Sequence, residues 1–156
     1  MEKATFAAGC FWHTEEVFRQ LKGVMSTTVG YIGGTVQNPT YEDVCTDTTG
    51  HAEAVEITFD PKKITYEELL ALFWDIHDPT TKNRQGPDMG TQYRSAIFYH
   101  TPEQKTKAEL SKKNLERSGK YKKKIVTEIT KATTFYSAEE YHQHYVAKHG
   151  SAGCPS

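Results

Sequence analysis

The chain predicts an α+β fold: a two-layer, ferredoxin-like (split βαβ) core, extended by a C-terminal helical segment and a flexible tail. Three observations carry this reading. The periodic segments run β-α-β-β-α-β and then add a further α-β-α. The 156 residues suit one domain, and no linker, internal repeat or low-complexity segment divides them. Apolar residues make up 37%, below the usual share, but an aromatic content of 12% argues against disorder. The domain is therefore read as residues 1–156, with the tail beginning at about residue 150.

Lys3 to Ala8 reads as a short buried strand that Gly9 ends. From Trp12 to Leu21, Val17, Phe18 and Leu21 recur at helical spacing, with Glu15, Glu16, Arg19 and Gln20 opposite and Gly23 as a stop. Val24 to Ile32 is rich in β-formers. Gly33 to Gly50 carries turn residues throughout and is long for a connection, which suggests a functional loop. Glu53 to Phe59 alternates, with Val55, Ile57 and Phe59 on one face. Thr65 and Glu68 form a capping box for a helix whose apolar stripe is Leu69, Leu72, Phe73 and Ile76. Asp78 to Gln92 is a second long loop, rich in Pro and Gly. Arg94 to His100 reads as a strand, Pro102 to about Ser118 as a charged helix, and Lys124 to Thr130 as a β-like run. A last short helix is expected after Ser137, in a capping box with Glu140.

Composition narrows the function classes. A formal charge of −1 gives no basic stripe for nucleic acid, and the cluster Lys120, Lys122, Lys123 and Lys124 reads as a solvated helix end. No stretch approaches the ~18 apolar residues of a membrane span, and no signal-peptide core opens the chain. Three cysteines do not make a disulfide framework, so a reducing cytoplasm is the expected compartment. No cysteine pair has zinc-ligand spacing, and no metal or other cofactor is called for.

Cys10, in Gly9-Cys10-Phe11-Trp12, falls about where a helix starts. A helix N-terminus favours anions and lowers a thiol pKa, so Cys10 reads as a nucleophile or as a small buried hydrophobe. Phe11 and Trp12 are core residues or the walls of an apolar pocket. Glu53 falls on the apolar face of its strand, where burial raises a carboxyl pKa and suits it to general-acid work, unless the strand starts later. Tyr41 and Tyr93 lie in the two long loops, as surface cover or as phenol donors to a substrate oxygen. Asp88 is a turn residue or an acceptor for a substrate amide. Cys154, on a glycine-bearing tail, is poorly placed for packing and well placed to swing. Cys45 reads as a buried or bystander thiol.

Gly9-Cys10-Phe11-Trp12, Asn38-Pro39-Thr40-Tyr41, Gly50-His51-Ala52-Glu53-Ala54-Val55, Arg84-Gln85-Gly86 with Asp88, and Gly90-Thr91-Gln92-Tyr93-Arg94-Ser95 together resemble the A-type peptide methionine sulfoxide reductases. The resemblance runs along nearly the whole chain, in that family's order and spacing. It implies that Cys10 is the catalytic thiolate and that Phe11 and Trp12 hold the substrate methyl group. It makes Glu53 the proton donor to the sulfoxide oxygen, aided by Tyr41 and Tyr93, and gives Asp88 a part in substrate positioning. Cys154 looks like the tail resolving cysteine, with thioredoxin as reductant, the S epimer as substrate and a monomer as the working form. Two features depart from many members: His13 follows the Cys-Phe-Trp where glycine is common, and the tail has one cysteine, implying a direct Cys10–Cys154 relay. A two-cysteine thiol peroxidase and a small-ligand regulatory module are the rival readings.

Overall fold

A computed structural model describes residues 1–149. In chain order it forms β1 (Glu2–Ala8), α1 (Phe11–Arg19), β2 (Val24–Ile32), α2 (Tyr41–Cys45), β3 (Ala52–Phe59), α3 (Tyr66–Asp75), β4 (Arg84–Gln85), β5 (Asp88–Met89), β6 (Ser95–Tyr99), α4 (Pro102–Arg117), β7 (Glu128–Lys131), β8 (Tyr136–Ser137) and α5 (Tyr145–His149). Single 3₁₀ turns lie at Thr91–Tyr93 and Glu140–His142. The result is an α+β molecule built on one six-stranded mixed sheet.

The sheet runs in the order β7-β6-β1-β3-β2-β8, with every pairing antiparallel except β6 with β7. Period-two burial decides the layers. Phe6, Val29, Val55, Ile57 and Ile97 pack with Phe18, Leu69, Leu70 and Phe73 from the helices. The alternate residues Ala7, Ala52, Ala54 and Ala96 form a second, thinner layer with Ile32 and Phe98, against which Ala132 and Phe135 pack. Phe6 is the centre of the main layer, with ring centroids 5.4 Å from Phe18 and 5.2 Å from Phe73.

Local chemistry accounts for the helix starts. Thr65 accepts from the Glu68 amide while the Glu68 carboxylate takes the Thr65 amide, so the expected capping box is present. Thr40 and Asp43 form a second box that opens α2 inside the first long loop. That loop is stitched shut by His51, which accepts from the Gly34 amide through Nδ1 and holds Val36 O at 2.7 Å from Nε2.

Four expectations are corrected by tertiary context. Glu15, placed on the solvent side by helical spacing, is 1% exposed, because the C-terminal segment covers that face and donates to its carboxylate. The Ser137–Glu140 capping box does not form: Glu139 precedes a 3₁₀ turn and makes no side-chain cap. The strand expected over 124–130 begins only at Glu128, because the chain first bonds from the Val126 amide to Pro79 O. The second long loop contains the β4–β5 hairpin.

Candidate active site

Sheet topology gathers the candidate residues at one end of the central strands. β1 ends there and leads into Gly9-Cys10, β3 begins there with Glu53, and β6 begins there just after Tyr93, because both neighbours run antiparallel to β1. Gly9 adopts φ 91°, and a Cβ on it would meet Gln85 Cγ at 2.9 Å, so only glycine lets the β4–β5 hairpin close over this turn. Cys10 is the N-cap residue of α1 and is half-buried against the main core. Its backbone carbonyl accepts from the Thr14 amide and hydroxyl, which fixes the first turn beneath it.

Glu53 is 1% exposed and shares its face with Val55, Ile57 and Phe59. Its Oε1 accepts from the Phe11 amide at 3.3 Å, tying the carboxyl to the helix turn that carries Cys10. Burial pushes its pKa up to about 8, opposed by the Phe11 hydrogen bond and reinforced by the Asp88 charge. A carboxyl protonated at neutral pH is thereby held beside the candidate thiol. Its Oε2 has no hydrogen-bond partner among the described residues, and neither does Asp88 Oδ1. Burial likewise raises the Asp88 carboxyl. Such orphaned polar atoms are costly unless a ligand meets them.

Tyr41 opens α2, and Tyr93 ends the 3₁₀ turn before β6. Burial raises both phenols, and the Glu53 charge contributes to both shifts, so their hydroxyls stay protonated donors near that carboxyl. Phe11 and Trp12 are buried as one wall. Phe11 lies 5.7 Å from Tyr31 between ring centroids, and Trp12 stacks on Tyr145 at 3.8 Å with planes 7° apart.

Two residues of the site, His142 and Glu139, are not singled out by the sequence, and a third, Cys45, differs from its expectation. His142 is 1% exposed and accepts the Trp12 Nε1–H through Nδ1 at 2.9 Å, across 130 residues of sequence. Its ring also lies 4.4 Å from Tyr41 and 5.4 Å from Phe11. Because Nδ1 accepts, the ring is neutral with its proton on Nε2; burial lowers its pKa in agreement. Glu139 takes the Tyr41 amide on one oxygen and the Tyr31 hydroxyl on the other, both at 3.1 Å. Cys45, read from sequence as buried or a bystander, is exposed and hydrogen-bonds to the Tyr41 side chain. Partial desolvation raises its thiol pKa, against that bond, with Glu53 among the charges adding to the rise. The nearby run Glu139-Glu140-Tyr141-His142-Gln143 is dense in polar and aromatic residues, which is the signal available in sequence for this part of the site. His13 is exposed, and Cys154 lies outside the described residues.

Residues 2–156 match the family model described as peptide methionine sulfoxide reductase. The chain belongs to that family. A peptide methionine sulfoxide reductase MsrA of Geobacter sulfurreducens is 60% identical over 154 residues, covering 99% of this chain and 95% of the relative. Among solved structures, Mxr1 of Saccharomyces cerevisiae in reduced form is 37% identical with a TM-score of 0.92, over 98% of this chain and 88% of that one. The same yeast protein in complex with Trx2 is 28% identical with a TM-score of 0.65, over 99% and 86%. In this reductase, topology collects Cys10, the raised Glu53 carboxyl and the aromatic wall at one end of the central strands. No helix among the described residues is long and apolar enough to cross a membrane.

Proposed function

We propose that this enzyme reduces the S epimer of methionine sulfoxide, free or in polypeptides, using Cys10 as nucleophile and Glu53 as general acid. One observation carries the reading: a carboxyl with a pKa raised to about 8 by burial accepts from the Phe11 amide, next in the chain to Cys10 at the N-cap position. The positive end of α1 favours the Cys10 thiolate, which attacks the sulfoxide sulfur. Phe11 and Trp12 receive the substrate methyl group. The sulfoxide oxygen leaves the methionine sulfur as a new S–O bond forms on Cys10, and protonated Glu53 supplies the proton that its growing charge demands. Tyr41 and Tyr93 donate to that oxygen, and Asp88 accepts from a substrate amide. Methionine departs and Cys10 is left as a sulfenic acid.

Cys154 then condenses with the sulfenic acid, releasing water and forming the Cys10–Cys154 disulfide. Thioredoxin reopens it by dithiol exchange; the complex of the yeast relative with Trx2 supports this partner. The strand order β6-β1-β3-β2 supports a split βαβ core. On this reading the core carries a C-terminal helical extension, and residues 1–156 act as one reductase domain and as a monomer.

Single-turnover mass spectrometry with each sulfoxide epimer tests this, reading methionine formed and the state of each cysteine. The S epimer is expected to yield methionine and the R epimer none, and Cys10→Ser should abolish the product entirely. Residual methionine from Cys10→Ser would move the nucleophile elsewhere. Oxidation of Cys10 by hydrogen peroxide but not by sulfoxide would favour a peroxidase.

A further inference from the structure

A second concavity, lined mainly by positive charge, lies at the same end of the sheet, one strand further out. A cavity of about 400 Å³ opens there between the 81–83 segment, the start of β6, α4 and the chain leading into β7. Its charged lining is Lys82, Arg94, Lys112, Lys124 and Glu128. Arg94 is already engaged: Nη1 donates to Thr91 O at 2.9 Å, and Nε lies 3.5 Å from Glu128. Lys82, Lys112 and Lys124 form no ion pair among the described residues. Three lysines without an ion pair around one concavity, in a chain of formal charge −1, present positive charge that suits an anion.

We infer that this cavity is a subsite of the polypeptide-binding surface, taking the carboxylate of an Asp or Glu two to four residues from the methionine sulfoxide. The inference rests on the sulfoxide reduction proposed above. Ser95 lines the cavity and pairs with Ala8, two residues before Cys10. Neighbouring strands lie ~5 Å apart, so an extended peptide rising ~3.3 Å per residue reaches the cavity from the active site within that number of residues. The β4–β5 hairpin ties the two places together. It carries Asp88, while its root holds the cavity rim: Thr81 Oγ1 donates to Arg84 O at 2.6 Å, and Asn83 O accepts from the Gly90 amide at 2.9 Å. The free cations are lysines on separate elements, and the one guanidinium is occupied. What remains supplies flexible point charges without the bidentate fork or amide nest of a phosphate site, which favours a side-chain carboxylate carried in by the substrate backbone.

The test uses the full chain, a small-molecule dithiol as reductant, and matched peptides bearing one methionine sulfoxide flanked at two to four residues by Glu, Gln or Lys. At low ionic strength the Glu peptide should show a kcat/KM about five- to tenfold above the Gln peptide, with the gain shrinking as salt rises. In Lys112→Glu/Lys124→Glu the preference should vanish or invert, with free methionine sulfoxide and the Gln peptide reduced as in the wild type. Equal kcat/KM for Glu and Gln peptides in the wild type would overturn the subsite, as would a Glu preference that survives the double substitution. A variant altered only in its turnover with thioredoxin would overturn it too, assigning the cavity to the reductant. Loss of the sulfoxide reading itself looks different: no peptide, whatever its flanks, would yield methionine.

Discussion

At the scale of single residues, two groups share one helix turn: Cys10 caps α1, and Glu53 accepts from the Phe11 amide one residue further on. Burial makes Glu53 an acid, and the sign of its pH dependence follows. Its folded pKa of about 8 lies above the ordinary 4.5, so the stability it contributes is fully present below about pH 4.5 and lost as pH rises through about 8. Urea denaturation should therefore show the wild type losing stability relative to Glu53→Gln between pH 5 and pH 9. Activity should follow the same proton. The wild-type sulfoxide step is expected to slow above about pH 8, whereas Glu53→Gln should lack that limb. Glu53→Ala should be slower by about 10²–10⁴-fold, with Gln milder because it still donates a hydrogen bond. Single-turnover methionine yield at several pH values checks both, and equal rates for wild type and alanine variant would remove Glu53 from the acid role.

At the scale of elements, the C-terminal segment completes the site although it is the most distant part of the described chain. Gln143 serves as a surrogate strand residue: the Val29 amide donates to its Oε1, and its Nε2 donates to Val29 O, each at 2.9 Å. Glu15 secures the next residue, taking the His144 amide at 2.7 Å and the Thr27 hydroxyl at 2.8 Å. These clips hold Glu139 and His142 against Tyr41 and Trp12. Gln143→Ala should cost about 1–3 kcal/mol, because it leaves the Val29 amide unsatisfied beneath the segment, while Val29 O keeps the Ala138 amide. It should also lower kcat/KM by about tenfold through the loosened aromatic wall, although Gln143 touches no reacting atom. Urea midpoints and steady-state kinetics on the same variant read the two effects. A stability loss with unchanged kcat/KM would show that the clip does not support the site.

At the scale of the whole molecule, the proposed cycle joins the two ends of the chain, with Cys10 near the start and Cys154 near the end. Cys154→Ser should yield about one methionine per enzyme and then stall with thioredoxin, because a sulfenic acid without a partner thiol offers no disulfide for exchange. Quantifying methionine per enzyme checks this. Sustained turnover would assign the resolving step to Cys45, whose thiol contacts Tyr41 in the site.

Legibility in the sequence divides along the range of the forces involved. The strand Val24–Ile32, the Thr65–Glu68 box, the alternation that buries Glu53 and the helix opened by Pro102 could be read directly, because propensity, capping and period-two burial act over a few residues. Glu15 was legible only as half of an amphipathic pattern, since what covers it arrives 129 residues later. The same distance hid His142: a histidine among several carries no local signal that its ring will accept a tryptophan N–H. Local sequence set the elements and the chemistry available to them, a cysteine after a strand, a carboxyl on an apolar face and phenols in loops. Long-range packing brings those groups together: antiparallel pairing around β1 carries them to one end of the central strands, and the returning C-terminal segment walls them in. Desolvation and directional hydrogen bonds depend on neighbours from every element, and those neighbours exist only once the sheet has formed.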